Sequence, residues 1–210
     1  MIKKYKETLI ITSIITISPT LAGLLLWNQL PEKIATHFGS NNIADGWSSK
    51  PTAVFGLPFL LLALHLFTVL ITLNDPKRKN ISEKFLHMIF WLIPVLSLVV
   101  NLSCYGISLG YKINIGIIVN IFVGILFIII GNYLHKIKQN YTVGIKIPWT
   151  LNSEENWNRT HRMASWLWIL CGLVFILNSI LQIPFLIFIV ICAAAIIPII
   201  YSFLLYKSGI

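Results

Sequence analysis

The chain has 210 residues, 57% of them hydrophobic and only 11% charged, with a mean hydropathy of +0.82. A soluble globule of this size needs far more polar surface to cover its core, so the composition excludes a soluble domain. A formal net charge of +9 would suit a nucleic-acid surface, but the basic residues fall in several separate segments and form no single patch.

Lys3, Lys4 and Lys6 precede the first apolar run, Thr8–Trp27. Crossing a bilayer as a helix takes about 20 residues at 1.5 Å each, and this run has that length. No small-residue cleavage site follows it, so it is expected to be retained. The polar stretch "NQLPEKIATHFGSNNIADGWSSKPTA" comes next, and then five further apolar runs: Ala53–Leu73, Phe85–Tyr105, Asn114–Leu134, Ala164–Leu181 and Phe185–Leu205. "NDPKRKNISE" is a cationic turn, and Gln182-Ile183-Pro184 is short enough to force an antiparallel hairpin of the last two helices. The predicted fold is an all-α integral membrane protein. It is a bundle of six transmembrane helices forming one domain, 1–210, with a loop at 28–52 after helix one and a cap at 135–163 between helices four and five.

The excess of Lys and Arg in cytoplasmic loops sets orientation. With the N-terminus inside, the inner segments hold Lys3, Lys4, Lys6, Lys77, Arg78, Lys79, Lys84, Lys136, Lys138, Lys146, Arg159, Arg162 and Lys207, and only Lys33, Lys50 and Lys112 fall outside. Both termini and the 135–163 cap are therefore expected in the cytoplasm and the 28–52 loop outside. Lipid is then the expected partner and nucleic acid is not. Cys104, Cys171 and Cys192 lie in or at the end of apolar runs without metal-type spacing and read as small buried hydrophobes.

Within the inner stretch "GNYLHKIKQNYTVGIKIPWTLNSEENWNRTHR", Ile147 precedes Pro148 and is biased to extended backbone. Asn152 with Glu155 has capping-box spacing, which predicts a helix start that runs unbroken into helix five. Trp157 and His161 then share one face at i,i+4, and Glu155 and Arg159 share another. Trp149, Trp157, Trp166 and Trp168 suit an interfacial aromatic belt, but that does not explain the accompanying Asn132, Asn140, Asn156, Thr150, Thr160 and His161, which suit a solvated loop or a networked cap.

Several residues are candidates for chemistry. On the outer loop His37 and Asp45 are too few for a metal site. They suit either a brace across the loop or a contact with a cationic peptide, and Trp47 suits the outer interface. His65 lies inside a run, where an ionisable group is a functional hypothesis unless a packing partner satisfies it, with Asn101, Asn120 and Asn178 as expected partners. A hydrolase reading of His161 with Glu154 and Glu155 lacks any zincin or serine-nucleophile motif. His161 also lies seven residues after Glu154, about 10 Å along a helix. A peptide or ion transporter would be expected to carry charged residues in mid-span, and the central parts of the runs have none. No cofactor and no metal is expected.

The segment Gly131 to Leu173 resembles the signature of the SdpI family of bacterial membrane proteins. The matching residues are Gly131 to Leu134, Asn140 and Tyr141, Gly144 and Ile145, Pro148 to Leu151, Trp157, and Thr160 to Arg162. The outer segment resembles the family's extracytoplasmic element through Pro31, Ile34, His37, Asp45, Trp47 and Lys50. His135 stands where the pattern has Pro, Met163-Ala164 replace a small pair, and Asn42 stands near a usual Gly. The resemblance implies immunity, in the bacterial cytoplasmic membrane, to a secreted membrane-disrupting peptide toxin. On the outer loop His37, Asp45, Trp47 and Lys50 are expected to face the toxin. In the founding system the immunity protein also holds a small winged-helix repressor of the ArsR type at the membrane, and for this chain the expected response surface is the cap with Asn132, Asn140, Gly144, Pro148, Trp149, Thr150, Trp157, Thr160, His161 and Arg162.

Overall fold

The computed structural model describes residues 2–39 and 42–210. In chain order the elements are α1 (Lys6–Leu25), β1 (Lys33–Phe38), β2 (Ala44–Ser49), α2 (Leu57–Leu73), α3 (Glu83–Ser108), α4 (Ile115–Leu134), α5 (Pro148–Asn152), α6 (Glu154–Leu181) and α7 (Pro184–Lys207). All except β1, β2 and α5 belong to segments long and apolar enough to cross a membrane. Each of the six predicted runs falls on one of these helices, so the chain is a multi-pass helical membrane protein.

It divides into two compact units, one of Met1–Asn74 with Glu83–Ile115 and one of Asp75–Ser82 with Gly116–Ile210. In the first, α1 turns Thr12, Thr16, Pro19 and Gly23 inward while Leu21 and Leu25 are exposed. That inversion is the membrane pattern: hydrocarbon solvates the large apolar side chains, and small or hydroxylated ones let backbones approach. Thus Ser97 Oγ on α3 donates to Thr16 O at 2.7 Å, and a Cβ on Gly23 would stand 2.7 Å from Val54 Cγ1.

The segment between α1 and α2 is not a simple loop. β1 and β2 pair antiparallel with Ala35 opposite Trp47 and His37 opposite Gly46, with irregular register between Ala35 and Phe38. Ile34 is buried with Leu30, Ala53, Val54, Cys104 and Tyr105, so the hairpin is anchored to its unit by a small apolar core. Asn42 has φ 62° at the turn, a left-handed conformation that Asn tolerates better than most residues.

In the second unit α4 and α6 approach through glycines. A Cβ on Gly124 would lie 2.7 Å from Gly172 O, and one on Gly172 would lie 2.5 Å from Gly124 O. Further along, a Cβ on Gly131 would meet Ser165 O at 2.9 Å. Cys171 and Phe175 pack with Val190 and Ala194 of α7. Gln182, at φ 52°, closes the α6–α7 turn.

Candidate functional site

The segment between α4 and α6 is a folded cap wound around the first turns of α6. Asp75 ties it to the turn between α2 and α3: its Oδ2 accepts from Tyr141 N–H at 3.0 Å and from the Thr142 hydroxyl. Lys77 Nζ donates to Gln139 Oε1 at 2.5 Å and Asn80 Nδ2 to Gln139 O at 2.6 Å. Gln139 Nε2 passes the link on to Thr150 O and Leu151 O at 2.9 and 2.8 Å. Asn140 then makes the turn, its Oδ1 accepting from Thr142 N–H at 3.0 Å and Val143 N–H at 2.7 Å. A short polar side chain that mimics a backbone acceptor is what such a turn needs.

At the centre, Trp157 and His161 stack with ring centroids 3.9 Å apart, as their i,i+4 spacing predicts. Trp157 Nε1 donates to Ile137 O at 2.7 Å. His161 Nδ1 lies 2.7 Å from Trp157 O, which can only accept, and its Nε2 accepts from Ile145 N–H at 2.9 Å. The imidazole is therefore the neutral Nδ1–H tautomer with both nitrogens occupied. Gly144, at φ +114°, lies flat on this pair: a Cβ there would be 2.5 Å from His161 Nε2 and 2.9 Å from Trp157 Cη2.

Thr150 Oγ1 donates to Ile145 O at 2.7 Å and accepts from Ile147 N–H at 3.1 Å, closing the bend before α5. Ile147 is extended, as predicted for the residue before Pro148. The helix start differs from the prediction. Asn152 ends α5, and Ser153 caps α6 by accepting from Asn156 N–H at 3.1 Å. Because Pro148 opens a short helix of its own, the capping position moves one residue on. Asn156 Oδ1 accepts from Thr160 Oγ1 and Ser202 Oγ, and its Nδ2 donates to Ser202 O at 2.9 Å, which docks the end of α7. Trp149 packs against Phe203 and Tyr206 of α7.

Of the predicted signature residues, Asn140, Thr150, Trp157, Thr160 and His161 are thus buried and hold the cap, and direct contact with a partner would require it to open. Asn132, Pro148 and Arg162 are exposed. The aromatic belt is corrected in the same way. Trp157 is fully buried and Trp168 is stacked on Phe127, so of these four only Trp166, 69% exposed, is turned fully outward. Asp75, Gln139 and Asn156 are central to the network; Asn156 belongs to the polar set noted in the sequence, whereas Asp75 and Gln139 carry no signal beyond being polar residues in or beside turns.

In the other unit His37 Nδ1 donates to Asp45 Oδ1 at 2.5 Å, the brace anticipated for this pair, and both side chains are exposed. Gly46 makes room for it, since a Cβ there would lie 2.8 Å from His37 Cβ. Trp47 is 57% exposed. Lys50 is not outward-facing: it is buried, with Nζ 2.9 Å from Glu32 Oε1, 3.2 Å from Trp27 O and over the Trp27 ring.

The intramembrane histidine has a different partner from those predicted. His65 Nε2 lies 2.9 Å from Thr12 Oγ1. Because that hydroxyl donates to Thr8 O, the ring N–H is the donor. Asn101 instead donates to Ser97 O at 2.8 Å. Asn120 accepts weakly from Asn178 Nδ2 at 3.4 Å, and Asn178 Oδ1 accepts from Ile183 N–H at the α6–α7 turn.

Residues 136–202 match the model of the SdpI/YfhL protein family, and residues 14–62 match the model of a domain of unknown function, DUF1648. The first match contains the cap from Lys136 onward with α5 and α6, and the second contains most of α1, the hairpin and the start of α2. The immunity protein SdpI of Bacillus subtilis (strain 168) is 35% identical over 165 residues, covering 79% of this chain and 78% of that protein. No solved structure matches the chain.

Proposed function

Since the chain belongs to the SdpI/YfhL family, we propose that it is an immunity protein of the bacterial cytoplasmic membrane, protecting its host against a secreted, membrane-active peptide toxin. The observation that carries this reading is the 35% identity to a curated immunity protein over 79% of the chain. By the excess of Lys and Arg, both termini and the cap lie in the cytoplasm and the hairpin lies outside. The exposed His37, Asp45 and Trp47 then meet the toxin, while Lys50 holds the hairpin to its helices from within.

The cap supports a second step, transmission to a cytoplasmic repressor. Its buried network leaves a partner the exposed Arg162, Pro148 and the Glu155–Arg159 pair, whose charges give orientation more than affinity. A repressor that is pulled down by the wild-type chain is expected to be lost with Arg162→Ala combined with Trp157→Ala, and equal recovery would remove this step. A membrane hydrolase is not favoured. A general base needs a free lone pair, and His161 has neither nitrogen available.

The direct test is growth of a toxin-sensitive bacterium expressing the chain. The expected result is growth at a peptide concentration that stops the vector control. No advantage at verified membrane expression would overturn the reading.

A further inference from the structure

The exposed residues of α6 form one stripe that changes chemistry along its length. Trp166, Leu170, Leu173, Leu177 and Ile180 are 69%, 59%, 52%, 53% and 79% exposed, at the i+3/i+4 spacing of a single helix face. In a multi-pass membrane protein such a face lies against hydrocarbon. Towards the cap the same stripe continues as Arg162, Arg159, Asn158 and Glu155, all exposed, and these residues line an open cavity of about 290 Å3. Arg162 and Ile180 are about 27 Å apart along the axis, close to the thickness of the hydrocarbon core, so the cavity falls at headgroup depth when Ile180 is at the far boundary. Trp166 lies one turn deeper, where an amphipathic ring marks the interface.

We propose that this cavity binds the phosphate of an anionic glycerophospholipid from the cap-side leaflet, with the acyl chains lying along Leu170, Leu173 and Leu177. Arg159 gives one nitrogen, Nη2, to Glu155 Oε1 at 2.5 Å, and Arg162 has no ion-pair or hydrogen-bond partner among the described residues. The lining is therefore net cationic with one guanidinium free. A planar guanidinium fork matches a phosphate in a bidentate manner, and Asn158 adds an amide donor. A zwitterionic headgroup brings a cation of its own into a cationic site. The apolar stripe continuous with the cavity selects a lipid over a soluble anion.

The test is fluorescence quenching of the full chain in vesicles, comparing brominated phosphatidylglycerol with brominated phosphatidylcholine. Wild type should prefer the anionic lipid, and each lost arginine charge should lower that preference about fivefold, the scale of one basic residue at an anionic surface. Arg162→Gln should show this loss, Arg162→Lys should restore most of it, and Glu155→Gln should raise the preference. Trp166→Phe should remove the lipid-selective part of the quenching. Circular dichroism on each variant separates these effects from unfolding. Equal quenching by both lipids, or a preference unchanged in a folded Arg159→Gln/Arg162→Gln double variant, would overturn the proposal. So would abolition of the preference by millimolar inorganic phosphate or by an acidic peptide, because the site would then belong to a soluble ligand.

Discussion

Gly144 carries the tightest constraint in the cap. Its φ of +114° and the 2.5 Å approach to His161 Nε2 both exclude a side chain. Gly144→Ala should cost about 2–4 kcal/mol, since strain at a positive φ and steric overlap with two packed rings act together. The measurement is thermal unfolding in detergent, with amide exchange at Ile145 as the local readout. Replacing His161 with Phe keeps an aromatic stack on Trp157 but removes the acceptor for Ile145 N–H, so it should cost about 1–3 kcal/mol and release the same amide. The Trp157–His161 pairing could be read from the i,i+4 spacing. Its lid could not, because nothing local to Gly144 says which rings, more than ten residues away, will lie beneath it. The same limit explains Lys50 and His65. A lysine after a hairpin reads as solvated until Glu32 and Trp27 O are seen beside it. A buried histidine was matched with amides when a threonine hydroxyl was the closer partner.

The six long helices were legible as elements because their apolar runs are long enough to admit no other reading. The hairpin was not, since "KIATHF" and "ADGWSS" lack regular alternation and the irregular register near His37 blurs the period further. Its dependence on Gly46 gives a prediction at this scale. Gly46→Val should displace His37 and break the 2.5 Å contact with Asp45 while leaving the helices intact, to be seen as a changed His37 imidazole resonance with unchanged circular dichroism. The α4–α6 pair was equally hidden, because Gly124, Gly131 and Gly172 sit in apolar runs as if they were neutral. Gly172→Leu should lower the thermal midpoint, at a cost of at least about 1–3 kcal/mol, because the crossing leaves no space for a side chain. The one-residue shift of the α6 cap from Asn152 to Ser153 belongs here too: Pro148 biases Ile147 to extended backbone, and it also begins a helix.

On the scale of the whole molecule, each unit hides short polar and small side chains beside a buried apolar core and turns many of its large apolar side chains outward, as lipid in the role of solvent allows. The proposed orientation, with the hairpin outside and the cap inside, rests on the excess of Lys and Arg. In a cysteine-free background, Ile43→Cys should react with a membrane-impermeant maleimide in intact cells, and Lys146→Cys only after permeabilisation. Reversal of that pattern would invert the account of which element meets the toxin. On the proposed function, the chain keeps the membrane intact in the presence of the peptide. The measurement that tests it most directly is the membrane potential of sensitive cells during peptide addition, with the peptide recovered and weighed by mass spectrometry. The account predicts that cells carrying the chain keep their potential while the peptide keeps its mass, and that the vector control depolarises. Depolarisation of both strains alike, or protection accompanied by cleaved peptide, would contradict it.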